Sequence, residues 1–266
     1  GEDLNGNGVL DPSEDLDGDG TLDAAEDTNG NGFLDLAEDV NGNGILDAAN
    51  TPFSGEGIYI ATRGVNSLAT ANGSIFDSLI INNVIGNTAT TINTTLGNFS
   101  HGINFDITKE TSLTNLMVGG NTIANNGGSG INFNRRDNAI VQGVSIFGND
   151  IFNNGNVLGS GVGGNGINIS TFDGGSSLTT FDIQQNNIST NALNGISLNI
   201  QGDARLNVDV SHNVIDANGT RGTLTQMNGI ITNEIFNDPT DLRQIGGMWL
   251  ANRITNNRGY GAQPNA

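Results

Sequence analysis

The chain lacks cysteine and has one lysine, Lys109, among its 266 residues. Without cysteine there are no disulfides, zinc–thiolate sites or thiol nucleophiles, so calcium or a repetitive fold must supply the stability. The nine basic residues are outnumbered by 28 acidic ones, and the sequence pI is near 4.1. We therefore expect no basic surface for nucleic acid or anionic lipid.

Long apolar runs are also missing from the sequence. No stretch approaches the roughly 20 apolar residues of a membrane helix, so we expect no membrane insertion. No charged segment followed by a short apolar run marks a signal peptide, and we expect that any export signal is missing from this chain.

Composition divides the chain near Asn50. Residues 1–50 contain 14 acidic and no basic residues, whereas residues 51–266 contain 14 acidic and nine basic residues. The formal charge of −19 thus splits into −14 and −5. We expect two domains, an acidic repeat array over 1–50 and a second domain over 51–266.

A 12-residue repeat fills the first domain. The segments 3–14, 15–26, 27–38 and 39–50 read DLNGNGVLDPSE, DLDGDGTLDAAE, DTNGNGFLDLAE and DVNGNGILDAAN, and they align without a gap. Each has Asp at position 1, Asp or Asn at positions 3 and 5, Gly at position 6 and Asp at position 9. Three of them end in Glu, and the fourth ends in Asn50.

This pattern resembles the calcium loop of the EF-hand, in which side-chain oxygens at positions 1, 3, 5 and 12 surround Ca²⁺ and Gly at position 6 permits the sharp turn. The resemblance implies about four calcium ions in residues 1–50. The candidate metal ligands are Asp3, Asn5, Asn7, Asp11, Glu14, Asp15, Asp17, Asp19, Asp23, Glu26, Asp27, Asn29, Asn31, Asp35, Glu38, Asp39, Asn41, Asn43 and Asp47. The aspartates at position 9 either bind one ion or bridge two.

Flanking helices have no room here, because each loop begins directly after the last residue of the one before it. The array therefore more closely resembles the tandem calcium repeats of thrombospondin type 3 or the tandem acidic loops of bacterial surface proteins. The alternative is an acidic disordered linker, but its acids would not keep a fixed spacing. Since Glu2 precedes Asp3 as in the later junctions, we expect residue 1 to lie inside a preceding loop.

The four loops differ in charge. Summed over positions 1, 3, 5, 9 and 12, the charges are −3, −5, −3 and −2 in chain order. We expect the second loop to bind calcium most tightly and the fourth least. Without large helices to hold them, such loops belong to the extracellular affinity range of about 10⁻⁴ to 10⁻³ M, so we expect an extracellular or cell-surface protein.

A second, longer repeat follows residue 50. The motif Asn-x-Ile occurs at 83–85, 121–123, 149–151, 186–188, 213–215 and 252–254, in most copies with another Asn three residues after the Ile. Alternating apolar residues precede it, as in Val144 and Ile146, and strands beginning with Gly-Ile follow it, as in Gly166-Ile167. The pattern predicts about three short strands per repeat and no long helices.

These repeats resemble the right-handed parallel β-helix of the pectate-lyase-like superfamily. The resemblance implies a mainly β solenoid of six or seven coils, with stacked apolar side chains inside and hydrogen-bonded asparagine ladders at the turns. An antiparallel β-sandwich is the alternative, but it does not explain why Asn-x-Ile recurs at matched positions.

Many proteins of that superfamily are polysaccharide lyases or hydrolases, which need a base beside acidic residues or a pair of carboxylates. No such pair is adjacent in the sequence of the second domain. We expect Arg135 and Arg136 to form a solvated turn and His212 a hydrogen-bonded turn, while His101 gives no indication of a role. Trp249 and Tyr260 are candidates to cap the last coil or to contact a neighbouring molecule, and capping is the simpler interpretation.

The sequence therefore favours a protein without enzymatic activity, an extracellular calcium-stabilised structural protein. We expect a subunit of a stalk, fibre or filament, or an adhesin, which self-associates end to end or through the calcium array. A glycan or cell-surface ligand is a further candidate partner. The alternative is a polysaccharide lyase or hydrolase, or a glycan-binding module.

Overall fold

The computed structural model of the protein describes residues 55–63, 74–87, 97–109, 111–155, 164–172, 178–219, 228–235, 244–258 and 262–264. These residues form 23 short strands and no helix. The predicted calcium array lies outside the described residues, so its structure remains a prediction.

The strands, numbered in chain order, belong to four sheets. The first sheet contains β1 (Ile58–Arg63), β5 (Ile103–Thr108), β9 (Ile131–Arg135), β13 (Ile167–Phe172), β16 (Ile196–Gln201), β19 (Ile230–Ile235) and β23 (Ala262–Pro264). The second contains β2 (Ser74–Phe76), β6 (Ser112–Thr114) and β10 (Ile140–Gln142). The third contains β3 (Leu79–Ile81), β7 (Met117–Gly119), β11 (Val144–Phe147), β14 (Leu178–Gln184), β17 (Arg205–Ser211), β20 (Gln244–Gly246) and β21 (Trp249–Leu250). The fourth contains β4 (Val84–Gly86), β8 (Thr122–Ala124), β12 (Asp150–Phe152), β15 (Asn187–Ser189), β18 (Val214–Asp216) and β22 (Arg253–Thr255).

The chain visits the sheets in a fixed order. It runs from β5 through β6 and β7 to β8, one strand in each sheet, and then returns to the first sheet as β9, which pairs with β5. Every strand pairing in the described residues is parallel. The fold is thus mainly β with stacked parallel sheets, and the antiparallel sandwich is excluded.

The prediction of about three strands per repeat is confirmed in some repeats and not in others. The repeats that begin with β5 and β9 have four strands, whereas those that begin with β13 and β16 have three. The difference arises because β14 and β17 are seven residues long and replace a separate strand in the second sheet. Sequence alternation does not show where such a strand is interrupted.

The core consists of apolar side chains that point to one side of each strand and stack from strand to strand. In the fourth sheet the middle residue of every strand is isoleucine, and the backbone register aligns these residues in one row, formed by Ile85, Ile123, Ile151, Ile188, Ile215 and Ile254. The four central members are fully buried. Burial of each such side chain contributes about 1.5–3 kcal/mol relative to exposure.

Aromatic contacts join the first sheet to the third across the core. The rings of Phe105 and Phe133, on neighbouring strands of the first sheet, stack with their centroids 4.9 Å apart. Phe133 also meets the edge of Phe181 in β14 at a centroid distance of 4.9 Å. Offset-stacked and edge-to-face pairs of this kind add about 0.5–1.5 kcal/mol beyond area burial.

Single residues in the left-handed conformation make the corners on both sides of the fourth sheet. The residue before each Asn-x-Ile motif has positive φ, as at Asn82, Gln185 and His212, with φ of 58°, 56° and 57°. Ala217, which precedes Asn218 on the other side of the sheet, has φ of 52°. One left-handed residue turns the chain sharply, so the asparagine that follows it points into the corner.

Candidate functional site: asparagine ladders and polar faces

None of the 19 predicted metal ligands can be placed, because all of them precede the first described residue, Gly55. Within the described part of the chain, no three His, Asp or Glu side chains lie close enough together to hold a metal ion. The described residues bring amide side chains together in several hydrogen-bonded rows.

The first asparagine ladder lies at the corner between the third and fourth sheets. It consists of Asn83, Asn121, Asn149, Asn186, Asn213 and Asn252. Each member except the last donates from both its backbone N–H and its Nδ2 to the Oδ1 of the next, over 2.9–3.0 Å. The sequence separations of successive members are 38, 28, 37, 27 and 39 residues, yet the hydrogen bonds keep the same geometry.

The second asparagine ladder lies at the other edge of the fourth sheet. It consists of Asn98, Asn126, Asn154, Asn191, Asn218 and Asn257, and each Nδ2 except the last donates to the next Oδ1 over 2.8–3.0 Å. Asn126 to Asn257 are the asparagines that follow Asn-x-Ile in the sequence. Both ladders implied by the resemblance are present. Their amides donate to the Oδ1 of the next member and also to a carbonyl oxygen of the preceding repeat, as from Asn121 to Ile80 and from Asn154 to Ile123.

A third polar row precedes the strands of the first sheet and explains His101. Backbone N–H groups donate along this row to the side chain of the preceding member: Asn228 to Asn194, Asn194 to Asn165, Asn165 to Ser129, and Ser129 to Nδ1 of His101 over 2.9 Å. His101 thus takes the place of a ladder asparagine. The sequence signal is His-Gly-Ile at 101–103, which parallels Asn-Gly-Ile at 165–167 and 194–196.

The protonation of His101 follows from this position. Burial lowers the pKa of its imidazole below the ordinary 6.5, and the nearby Glu56 carboxylate acts in the opposite direction. A protonated Nδ1 could not accept the N–H of Ser129. The neutral imidazole is therefore the form that fits the row.

Amide side chains also join along the outer face of the first sheet. Asn233 donates to Asn199, Asn199 to Asn168, Asn168 to Asn132, and Asn132 to Asn104, over 2.8–3.1 Å. Asn104 donates in turn to Oε1 of Glu56 over 3.0 Å. These side chains hydrogen-bond to one another, as expected for a face with a structural role.

Arg135 does not form the solvated turn that was expected. It is the last residue of β9 and is fully buried, and its Nε donates to the carbonyl oxygen of Ala139 over 2.8 Å. The side chain points inward because the register places Arg135 beside Ile107 and Thr171 in a core-facing row. Burial lowers the pKa of its guanidinium, while Asp137 opposes the shift.

Arg136, the next residue, fits the expectation of a solvated turn. It is exposed, and its guanidinium lies over the ring of Phe172 at 5.5 Å from the centroid. A polysaccharide could not reach the buried Arg135, so Arg135 does not provide the accessible base that a lyase would need beside acidic residues.

One carboxylate pair was not found by sequence reasoning. Asp182 in β14 and Asp209 in β17 are backbone partners in the third sheet, and both are partly exposed on its outer face. Gln184 donates to Oδ2 of Asp182 over 2.9 Å, and the N–H of Met248 donates to Oδ1 of Asp209 over 2.8 Å. Burial, and secondarily the charge of Asp209, raise the pKa of Asp182.

Two further sequence candidates have been located. His212 is a left-handed corner residue whose N–H donates to the carbonyl of Leu250 over 3.0 Å, which confirms the predicted turn role. Trp249 pairs with Val210, so it continues a core-facing row at the last strand of the third sheet, with 37% of its surface exposed. That position fits a cap, whereas Tyr260 lies outside the described residues.

Comparisons with protein families, characterised proteins and solved structures give no match to this chain. No helix in the described residues is long and apolar enough to cross a membrane. The mainly β, parallel-sheet fold is therefore the class to which the chain can be assigned.

Proposed function

We propose that the chain is an extracellular, calcium-stabilised structural protein, a subunit of a surface stalk, fibre or filament or an adhesin. In this proposal residues 51–266 form a right-handed parallel β-helix of the kind found in the pectate-lyase-like superfamily. Residues 1–50 form a tandem array of calcium loops that binds about four ions. The protein self-associates, either end to end or through the array.

The two asparagine ladders are the observation that carries this proposal. Asn121, Asn149, Asn186 and Asn213 are each about 1% exposed, and their amides hydrogen-bond to one another. Buried amides fully used in this way contribute to rigidity and specify one register. A fold that uses its polar side chains for internal ladders is suited to a mechanical role.

Calcium binding is proposed from the sequence of the first 50 residues. Four consecutive 12-residue segments carry the same pattern of Asp, Asn and Gly, and oxygen ligands of this kind suit a hard cation. Loops of weak affinity would be filled at extracellular calcium and empty in the cytosol, which is the reason for the proposed location.

Calcium dependence of stability and size tests the proposal. We expect calcium to raise the melting temperature relative to a chelated sample, and particle size to rise with it if the array takes part in assembly. Calorimetry and light scattering on one sample measure both quantities. A protein with the same melting temperature and the same monomeric size in millimolar calcium and in chelator would contradict the proposal.

A polysaccharide hydrolase is a second candidate, and the Asp182 and Asp209 pair is the observation that favours it. Hydrolases use two carboxylates, one of which has a raised pKa so that it can act as the acid. A screen of acidic and neutral polysaccharides for new reducing ends tests this candidate. If the wild type released reducing ends and both Asp182→Asn and Asp209→Asn lost this activity, the protein would be an enzyme and the proposed structural function would be wrong.

A further inference from the structure

The two asparagine ladders end differently at the two ends of the described sheets. At the N-terminal end, Asn83 and Asn98 donate to the next ladder member, but in the described structure nothing donates to their own Oδ1 atoms. At the C-terminal end, Asn252 and Asn257 accept hydrogen bonds from the preceding members. One end of each ladder therefore presents an open acceptor.

The opposite end presents open donors. In every inner rung of the first ladder, the backbone N–H donates to the next Oδ1, as from Asn213 to Asn252 over 3.0 Å. Within the described residues, the backbone N–H groups of Asn252 and Asn257 have no such acceptor. Backbone N–H groups are strong donors that require a partner, either water or protein.

We propose that the C-terminal end of one copy binds the N-terminal end of a second copy, head to tail, so that both ladders continue across the joint. The inference rests on the proposed self-association and adds its direction and its residues. Within the ladders, open donors meet open acceptors only in the head-to-tail arrangement. Two N-terminal ends would bring acceptor against acceptor, and two C-terminal ends donor against donor.

The ladders also fix the register of the joint. Inside the chain, the Asn213 to Asn252 rung is accompanied by Val214 beside Arg253 and Ile215 beside Ile254. The same register across the joint, with Asn252 on Asn83 of the second copy, places Arg253 beside Val84 and Ile254 beside Ile85. Strands paired in this way lie about 4.8 Å apart, so these side chains come into contact.

Apolar side chains are exposed at both ends of the third and fourth sheets. Val84 and Leu79 at the N-terminal end are 69% and 62% exposed, and Leu250 and Trp249 at the C-terminal end are 50% and 37% exposed. Burial of part of this surface would favour the joint. An exposed strand edge with apolar side chains is also a template for pairing with another chain.

The first sheet is expected to contribute less to the joint. Its outermost strand at the C-terminal end, Ala262–Pro264, ends in proline, which has no N–H to donate. Proline at a sheet edge restricts further pairing. The contact is therefore assigned to the third and fourth sheets and to the ladder corners.

A charge-swap experiment tests the joint. Val84 has the neutral neighbour Thr122 inside its own chain, and Arg253 has the neutral Val214, so changes at these exposed sites leave internal charge pairs unaltered. In millimolar calcium, Val84→Lys should raise the dissociation constant of assembly about tenfold, because Lys would meet Arg253 of the second copy. Val84→Glu should leave it unchanged or lower it.

Combining Val84→Lys with Arg253→Glu should restore assembly, because the pair is again attractive. Thr122→Lys is the matched control, since it places the same charge in the same row away from the ends. Sedimentation velocity and light scattering measure assembly, and the melting temperature reports on the fold of each variant.

Each outcome decides between specific arrangements. Equal weakening by Val84→Lys and Val84→Glu would indicate a head-to-head contact, in which Val84 meets its own copy, and would overturn the proposal. Unchanged assembly in both variants would place the joint elsewhere but leave self-association standing. If the wild-type protein stayed monomeric at high concentration, the proposed self-association itself would be wrong.

Discussion

Replacing Asn186 by alanine should be among the most destabilising single changes in the described residues. The side chain donates to the carbonyl oxygens of Ile146 and Gln184 and to Oδ1 of Asn213, and it accepts two hydrogen bonds from Asn149, all over 2.9–3.0 Å. Asn186 is 1% exposed, so water cannot easily replace these partners.

The magnitude follows from what the substitution leaves unpaired. Each lost hydrogen bond costs about 1 kcal/mol net, and a buried group left without a partner costs about 1–3 kcal/mol. Asn149 loses the acceptor of its backbone N–H, and the Ile146 carbonyl loses its side-chain donor. We expect a loss of about 3–5 kcal/mol in the free energy of unfolding, a large part of the 5–15 kcal/mol typical of a domain.

Chemical denaturation in calcium, followed by circular dichroism, measures this loss. Asn187→Ala is the matched control, because Asn187 is the next residue, is exposed, and makes one exposed hydrogen bond to Asp150. That variant should lie within about 0.5 kcal/mol of the wild type. If Asn186→Ala cost no more than Asn187→Ala, the ladders would not be a main source of stability.

Three further predictions concern single positions. Gly195→Ala should destabilise the protein by roughly 2 kcal/mol or more, because the new Cβ would lie 2.6 Å from the carbonyl oxygen of Gly229. Ala217→Gly should stabilise it by about 0.5–1 kcal/mol, because Ala217 has φ of 52° and glycine adopts that conformation without strain. For His101, the folded pKa lies below the unfolded value of about 6.5, so its contribution to stability is present above that pH and is lost as pH falls below it. His101→Asn should reduce this pH dependence, because asparagine can still accept the N–H of Ser129.

Thermal or chemical unfolding measures all three effects. Gly55→Ala is the control for Gly195→Ala, since a Cβ at Gly55 would meet no atom within 4 Å. A stabilising Gly195→Ala would contradict the close approach of Gly195 to Gly229, and a destabilising Ala217→Gly would contradict the left-handed backbone at residue 217. For His101, the free energy of unfolding of the wild type and of His101→Asn should be compared between pH 7.5 and 5.5. Equal losses of stability in the two proteins would show that His101 does not cause the pH dependence.

The ladders could be predicted because their signal is local. Asn-x-Ile with a second Asn three residues after the Ile recurs through the sequence, and each asparagine follows a corner residue. His101 could also have been found, since His-Gly-Ile stands where the other copies have Ser-Gly-Ile or Asn-Gly-Ile. Side chains that occupy the same place in successive repeats hydrogen-bond to one another, so the repeat in the sequence identifies the partners.

Contacts that depend on register could not be predicted in the same way. Asp182 and Asp209 are 27 residues apart, whereas other repeats are up to 39 residues long, so the sequence alone does not show that they face each other. Arg135 ends its strand, and the inward direction of its side chain follows from its neighbours Ile107 and Thr171. Because Arg135 is charged, the alternation of apolar and polar residues stops before it. The sequence pattern therefore does not predict that its side chain points inward.

The unequal lengths between rungs of the first ladder have a consequence for variation and engineering. Successive members are separated by as few as 27 and as many as 39 residues, while their hydrogen bonds stay at 2.9–3.0 Å. A difference of this size is accommodated outside the rungs, since long insertions in loops cost little free energy. The connections between rungs are therefore places where foreign peptides could be displayed at regular intervals, and where surface properties could diverge without loss of the scaffold.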